Sequence, residues 1–128
     1  MISCGFSLEC IARIRLPKVR TVNLAYSGNI SGHKLACAGV LDCLSSDYMP
    51  SILLHATLLL SRDAGWTLQR AVASVSAMPA ALATLPDRGE IRTGLRADVI
   101  RVQESLGIPV VHEVLRKGRW ILQCKRPR

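Results

Sequence analysis

From Ser31 onward the chain alternates apolar runs with short polar breaks, and the spacing of those runs predicts its elements. Ser31 offers a hydroxyl N-cap to a helix whose inner side is Leu35, Ala36 and Val40, with Gly39 as a natural C′ residue. Residues 40–44 are almost continuously apolar, the pattern of a strand covered on both faces, as in parallel α/β sheets. The run stops at Ser45-Ser46-Asp47-Tyr48, a lone carboxylate with a turn and Pro50 behind it. Pro50 suits the first turn of a helix over residues 51–60, apolar nearly all round and therefore expected to be buried. Thr67 caps another helix, in which Leu68, Ala71, Val72, Val75 and Met78 follow helical spacing. Pro79 restarts a short helix over residues 79–85, closed by Pro86.

The pattern then changes. Residues 87–94 are turn-rich, 97–102 read as a strand, and 110–115 with 119–123 make a hairpin about Lys117-Gly118. Upstream, residues 21–25 suit a short strand and 26–32 a loop in which Gly and Asn supply turn conformations. Residues 1–20 show no clean period and end in a basic, proline-containing patch, so they are expected to be a lead-in. The first eight residues are apolar, but Glu9 interrupts them and no basic segment precedes them. Neither a signal peptide nor a membrane span is expected there, and the apolar run 51–60 is too short to cross a bilayer.

Composition narrows the class without assigning chemistry. A length of 128 residues and 49% hydrophobic content fit one globular domain. With only five aromatic residues, its core must be built from Leu, Val, Ile and Ala. The formal charge of +8 could draw phosphate-bearing ligands or an acidic partner. No aromatic–basic interleaving accompanies it, so a solvated basic face is favoured over nucleic-acid binding. The five cysteines form no C-x-x-C pair and suggest reduced thiols in a cytoplasmic protein, with Cys37 and Cys43 buried and inert in apolar segments.

Two groups of residues carry a resemblance. Gly89-x-Ile91-x-x-Gly94-x-x-Ala97-Asp98-Val99-Ile100, with Val114 and Gly118-Arg119 later, resembles the C-terminal end of amidohydrolase-superfamily enzymes. Tyr26-Ser27-Gly28-Asn29 and Leu41-Asp42-Cys43-Leu44-Ser45-Ser46-Asp47-Tyr48-x-Pro50 narrow the likeness to the diphosphatases of phosphonate catabolism, in the carbon–phosphorus lyase pathway. The resemblance covers residues 21–123. It implies an α/β fold: a C-terminal fragment of a metal-dependent (β/α)8 barrel, comprising the last barrel strand and helices, plus short strands of a flanking β-subdomain. It divides the chain into a lead-in at 1–20, a barrel segment at 21–86, subdomain strands at 87–123 and a basic tail at 124–128.

By the same resemblance, Asp47 is the acid at the end of the eighth barrel strand, where it binds a divalent metal, usually zinc, and helps activate water. A carboxylate at the C-terminal end of a parallel strand is where barrel enzymes place chemistry. Read from the residues alone, Asp47 merely caps the helix at Pro50; the resemblance favours the ligand. Ser27 and Asn29 are candidates for contacts with a phosphorylated sugar phosphonate. The implied reaction is attack of metal-activated water on a phosphoanhydride.

The departures matter as much. Tyr26 stands where the family's loop carries histidine, and Met78-Pro79-Ala80 replaces the usual Asn-Pro-Ala. The family's His-x-His pair and remaining metal ligands have no counterpart in this sequence. His33 beside Lys34, His55 in an apolar helix and His112 on a strand match no ligand spacing. His55 is expected in the core, and His33 and His112 at the surface. The expectation is therefore a piece inactive alone and binding no metal by itself. One barrel strand cannot close a barrel, so exposed apolar surface and dependence on an upstream half or an oligomer are expected.

Overall fold

A computed structural model describes residues 32–46 and 51–124 with their side chains, and residues 10–14 and 22–23 as backbone. The fold is mixed α/β, with two antiparallel sheets and a few helices. The first sheet has the order β2-β1-β3, from β1 (Cys10–Ile14), β2 (Val22–Asn23) and β3 (Leu41–Ser46). The second has the order β4-β5-β6, from β4 (Val99–Ser105), β5 (Ile108–Arg116) and β6 (Arg119–Gln123). Between them in sequence lie α1 (Gly32–Cys37), α2 (Ile52–Asp63), α3 (Leu68–Val75) and α4 (Ala77–Leu82), with α1 preceding β3.

The direction of pairing corrects the parallel sheet expected around β3. That strand pairs antiparallel with β1, Ile11 opposite Ser45 and Ala12 opposite Leu44. An apolar run reports burial, not the direction of the neighbouring strand. Leu41, Cys43 and Leu44 are indeed buried, and β3 packs against all four helices. Residues 10–14, which carry no readable period, supply the strand beside it.

Local chemistry explains the element ends. The Val40 amide donates to the Leu35 carbonyl at 3.1 Å and the Gly39 amide to Ala36 at 3.0 Å, with Gly39 at φ +71. That is a Schellman motif, and the positive φ is why glycine ends α1. Thr67 Oγ1 accepts from the Arg70 amide at 3.2 Å, capping α3 as its sequence predicts. Pro79 falls in the first turn of α4, where its missing N–H costs nothing. Lys117 and Gly118 both have positive φ and form the expected β5–β6 turn. Leu106-Gly107 repeats that geometry between β4 and β5, at φ 51 and 83.

The core is small and lies wholly on the helical side. Leu35, Ala36, Leu41, Leu44, Ala56, Leu60, Trp66 and Ala71 form one buried cluster. Inside it, the Trp66 indole N–H donates to the Ala36 carbonyl at 3.3 Å, joining α1 to the α2–α3 connection. The hydroxyls of Thr57 and Ser74 donate back to the Leu53 and Ala71 carbonyls, so their burial leaves no polar group unpaired.

Two helices are less covered than their patterns predict. Of α2, only Ala56, Thr57 and Leu60 are buried, and its remaining leucines are half-buried. On α3, Ala71 is buried, but Leu68 and Val72 are exposed, as is Met78 on α4. No helix among the described residues is long and apolar enough to cross a membrane.

Candidate functional site

The strand expected to carry the chemistry is well anchored up to its last residue. β3 enters through buried Leu41 and leaves through half-buried Ser45 and Ser46. Asp47 follows directly, and it lies outside the described residues, as do Tyr26, Ser27 and Asn29.

The three histidines among the described residues sit on three separate elements. His33 is on α1, His55 on α2 and His112 on β5, each half-buried. No three His, Cys, Asp or Glu side chains among the described residues come together as a group able to hold a metal ion. A catalytic zinc takes three protein ligands, so the described residues do not by themselves fit that metal.

The Gly89 to Asp98 segment has a structural task that its side-chain contacts define. Asp98 accepts from Arg96 Nε at 2.7 Å through one carboxylate oxygen and from the Lys117 amide at 2.8 Å through the other. The Gly118 amide donates to the Ala97 carbonyl at 3.0 Å, and the Arg96 amide to the Asp87 carbonyl at 2.8 Å. Asp98 thus ties the segment before β4 to the β5–β6 turn. The Arg96 hydrogen bond, with help from the Lys117 amide, holds its carboxyl below the ordinary carboxylate value. Asp87 is lowered in the same way by Arg88.

Gly89 explains the start of the motif. It sits at φ +102, and a Cβ there would lie 2.8 Å from Ala80 Cβ and 3.0 Å from Ala77 Cα. Only glycine lets this loop lie against α4. Gly89 and Asp98 are thus packing and positioning residues, a role that their spacing in the sequence does not disclose.

Between the helices and the second sheet runs an apolar cleft. One lobe, of about 680 Å³, is lined by Leu53, Leu58, Val72, Ile100, Val102 and Pro109 among others. A second lobe, of about 660 Å³, shares Leu68, Val72 and Ile100 and reaches Glu90 and Asp98. Glu104 at its edge pairs with Arg62 across the gap. The cleft contains no pair of nucleophile and base, so it is a packing surface more than a reaction vessel.

One juxtaposition of reactive groups does occur. Cys37 Sγ lies 3.9 Å from both ring nitrogens of His33, one helical turn earlier on α1. Cys37 is exposed, which corrects its expected burial; Cys43 is buried as expected. The helix turns Cys37 away from the Leu35–Ala36 side. A four-residue His–Cys spacing inside a predicted helix was the signal available.

Comparison with known proteins bears on about three-quarters of the chain. Over 99 residues, 76% of its length, it is 38% identical to alpha-D-ribose 1-methylphosphonate 5-triphosphate diphosphatase of Escherichia coli (strain K12). The chain is homologous to a portion of that diphosphatase. It spans 26% of the relative's length, which fits a C-terminal portion. The family resemblance expected from Ser27-Gly28-Asn29 and Ser45-Ser46-Asp47-Tyr48 is thereby shown. No protein-family model matches the chain, and no solved structure matches it significantly.

Proposed function

We propose that the chain forms the C-terminal part of a phosphonate-pathway diphosphatase, a hydrolase that releases diphosphate from a phosphorylated sugar phosphonate. The observation that carries this reading is the 38% identity to the diphosphatase over 99 residues. In this proposal β3, which pairs antiparallel with β1 in the chain alone, becomes the last strand of a (β/α)8 barrel when upstream strands replace β1, and β4, β5 and β6 belong to the subdomain beside it. Asp47, immediately after β3, supplies one carboxylate to a divalent-metal centre, with zinc the metal the resemblance implies. Ser27 and Asn29 contact the substrate's phosphoryl groups. The described residues complete no ligand set, so no catalytic step is assigned to the chain alone.

The exposed apolar residues support a dependence on further protein. Ile91, Ile100, Ile108, Trp120 and Ile121 are all exposed on or beside the second sheet. Large apolar side chains left exposed in this number are what a missing neighbour leaves behind. The upstream three-quarters of the enzyme, or another chain, would cover it. The cytoplasmic setting expected from reduced thiols belongs to the same proposal.

Complementation tests it. The Escherichia coli diphosphatase, deleted of the segment that aligns with this chain, is co-purified with the chain and supplied with its triphosphate substrate. Diphosphate release is expected only from the pair, and its loss in Asp47→Ala assigns the acid. Co-purification without turnover, under conditions where the intact relative is active, would sink the proposal. Turnover by this chain alone would overturn its dependence on the upstream part.

A further inference from the structure

We propose that the free edge of β6 takes up a strand from a protein partner, a segment apolar along its middle and acidic at its C-terminal end. In the order β4-β5-β6 this strand is outermost, and all five of its residues are exposed. An edge strand presents a row of N–H and C=O groups that a further strand can receive. Trp120, Ile121 and Leu122 are 55, 65 and 42% exposed, so the edge is apolar for three residues in succession.

The cross-strand register shows that two apolar rows run out at this edge. Ile100, Val114 and Leu122 stand opposite one another across the three strands, and so do Val99, Leu115 and Trp120. Opposed residues share a face and successive residues alternate, so each face of the sheet carries one row. A strand beside β6 extends both. Alternate side chains of that strand meet Trp120 at a recess of about 350 Å³, lined by Val99, Leu115 and the Arg101–Glu113 pair. The opposite edge is a poorer receiver. On β4, Arg101, Gln103 and Glu104 interrupt the apolar residues, and Glu104 is tied to Arg62 of α2.

Charge selects the occupant. Arg116 stands directly opposite Arg119 across the β5–β6 turn, with Lys117 between them in sequence. Like charges so opposed are unfavourable, and these three side chains form no ion pair among the described residues. A strand antiparallel to β6 brings its C-terminal end past Arg119, where carboxylates neutralise the corner. A second copy fits badly: paired antiparallel about Ile121, two copies set Lys117 against Lys125 and Arg116 against Arg126. The partner is therefore a different segment, with acids where this chain has bases. The inference goes beyond the diphosphatase reading and needs no catalytic activity.

The full chain, isotope-labelled, is titrated with the capped peptide Thr-Val-Thr-Val-Thr-Glu-Glu while its amide spectrum is recorded. Saturable shifts of the amides from Arg119 to Gln123 are expected, with the Trp66 indole unmoved. A peptide with lysines in place of the two glutamates is expected to bind about tenfold more weakly. The double variant Lys117→Glu, Arg119→Glu is expected to reverse that preference, a result that a mere loss of stability would not give. Two further peptides, each N-methylated on one alternate set of amides, separate backbone pairing from surface adhesion. One is expected to lose binding and the other to keep it, because only one set faces β6. No shift at β6 with millimolar peptide, shifts at β4 instead, or equal affinity for the acidic and basic peptides would overturn the proposal. Equal binding by the two methylated peptides would overturn it too. So would line broadening at β6 that grows with protein concentration before any peptide is added, since a second copy would then be the occupant. No turnover is read, so failure here and failure of the complementation are separate results.

Discussion

The helical half of the molecule and its second sheet are held together by different physics. Residues 32–80 contain every buried side chain among the described residues, clustered about Leu41, Leu60 and Ala71. The β4-β5-β6 sheet contains none, although its strands are as rich in Val, Ile and Leu. It stands on backbone ladders, two tight turns with positive φ, and polar clamps such as Arg101 to Glu113 at 2.7 Å. The lesson is that apolar content predicts a strand's readiness to be covered, not its being covered. Three strands with one open apolar side are near the lower limit of independent stability.

The sharpest way to test that contrast is to remove one large side chain from each half. Leu60 is 1% exposed, and Leu60→Ala is expected to cost about 2–5 kcal/mol in chemical denaturation, through lost transfer energy and a cavity. Ile121 is 65% exposed, and Ile121→Ala is expected to change stability by no more than about 0.5 kcal/mol. Equal losses at the two positions would mean that the sheet is covered in solution and would break the comparison.

Gly89 tests the seam between the halves. Gly89→Ala forces a side chain to φ +102 against Ala80 and Ala77, and about 3 kcal/mol of strain and overpacking is expected. The loss should appear as release of the loop from α4, read by faster amide exchange after residue 87. A variant as stable as wild type would show that the loop does not lie on α4.

How much of this was legible in the sequence divides along the same line. Gly39, Thr67 and Lys117-Gly118 announce their own geometry, because positive φ and side-chain caps are local requirements. The order of helices and strands from 31 to 123 follows from period and punctuation for the same reason. What the sequence hides is tertiary: Leu68, Val72 and Met78 keep helical spacing yet stay exposed, Leu68 and Val72 on the open cleft toward the second sheet, since a stripe does not say how closely what lies opposite covers it. Leu106-Gly107 escaped because leucine is an unusual occupant of a left-handed turn position. Of the proposed site, Asp47, Ser27 and Asn29 are suggested by resemblance alone, and Asp98 looked like a family signature until its bonds to Arg96 and Lys117 gave it a task.

Acid should loosen the sheet through that carboxylate. Asp98 has its folded-state value lowered by Arg96 and the Lys117 amide, so its contribution is present above the ordinary carboxylate range. It is lost as pH falls below about 4 and through the lowered value, where the clamp protonates. Exchange of the Lys117 and Gly118 amides is expected to lose protection there before the Leu60 region does. Asp98→Asn should remove that local pH dependence. Simultaneous loss in both halves, or an unchanged profile in the Asn variant, would show that Asp98 is not the local switch.

The smallest effect is a gain. Leu106 is fully exposed and holds φ 51 at the first turn position between β4 and β5, where a branched hydrophobe contributes no contact and bears conformational strain. Leu106→Asn keeps the turn with Gly107, since asparagine enters the left-handed region readily and Asn-Gly favours this hairpin type. A stabilisation of about 0.5–1 kcal/mol is expected, confined to the sheet, because no buried contact changes. If the substitution instead destabilises the protein, Leu106 is covered in solution, and the sheet would owe its stability to packing as the helices do.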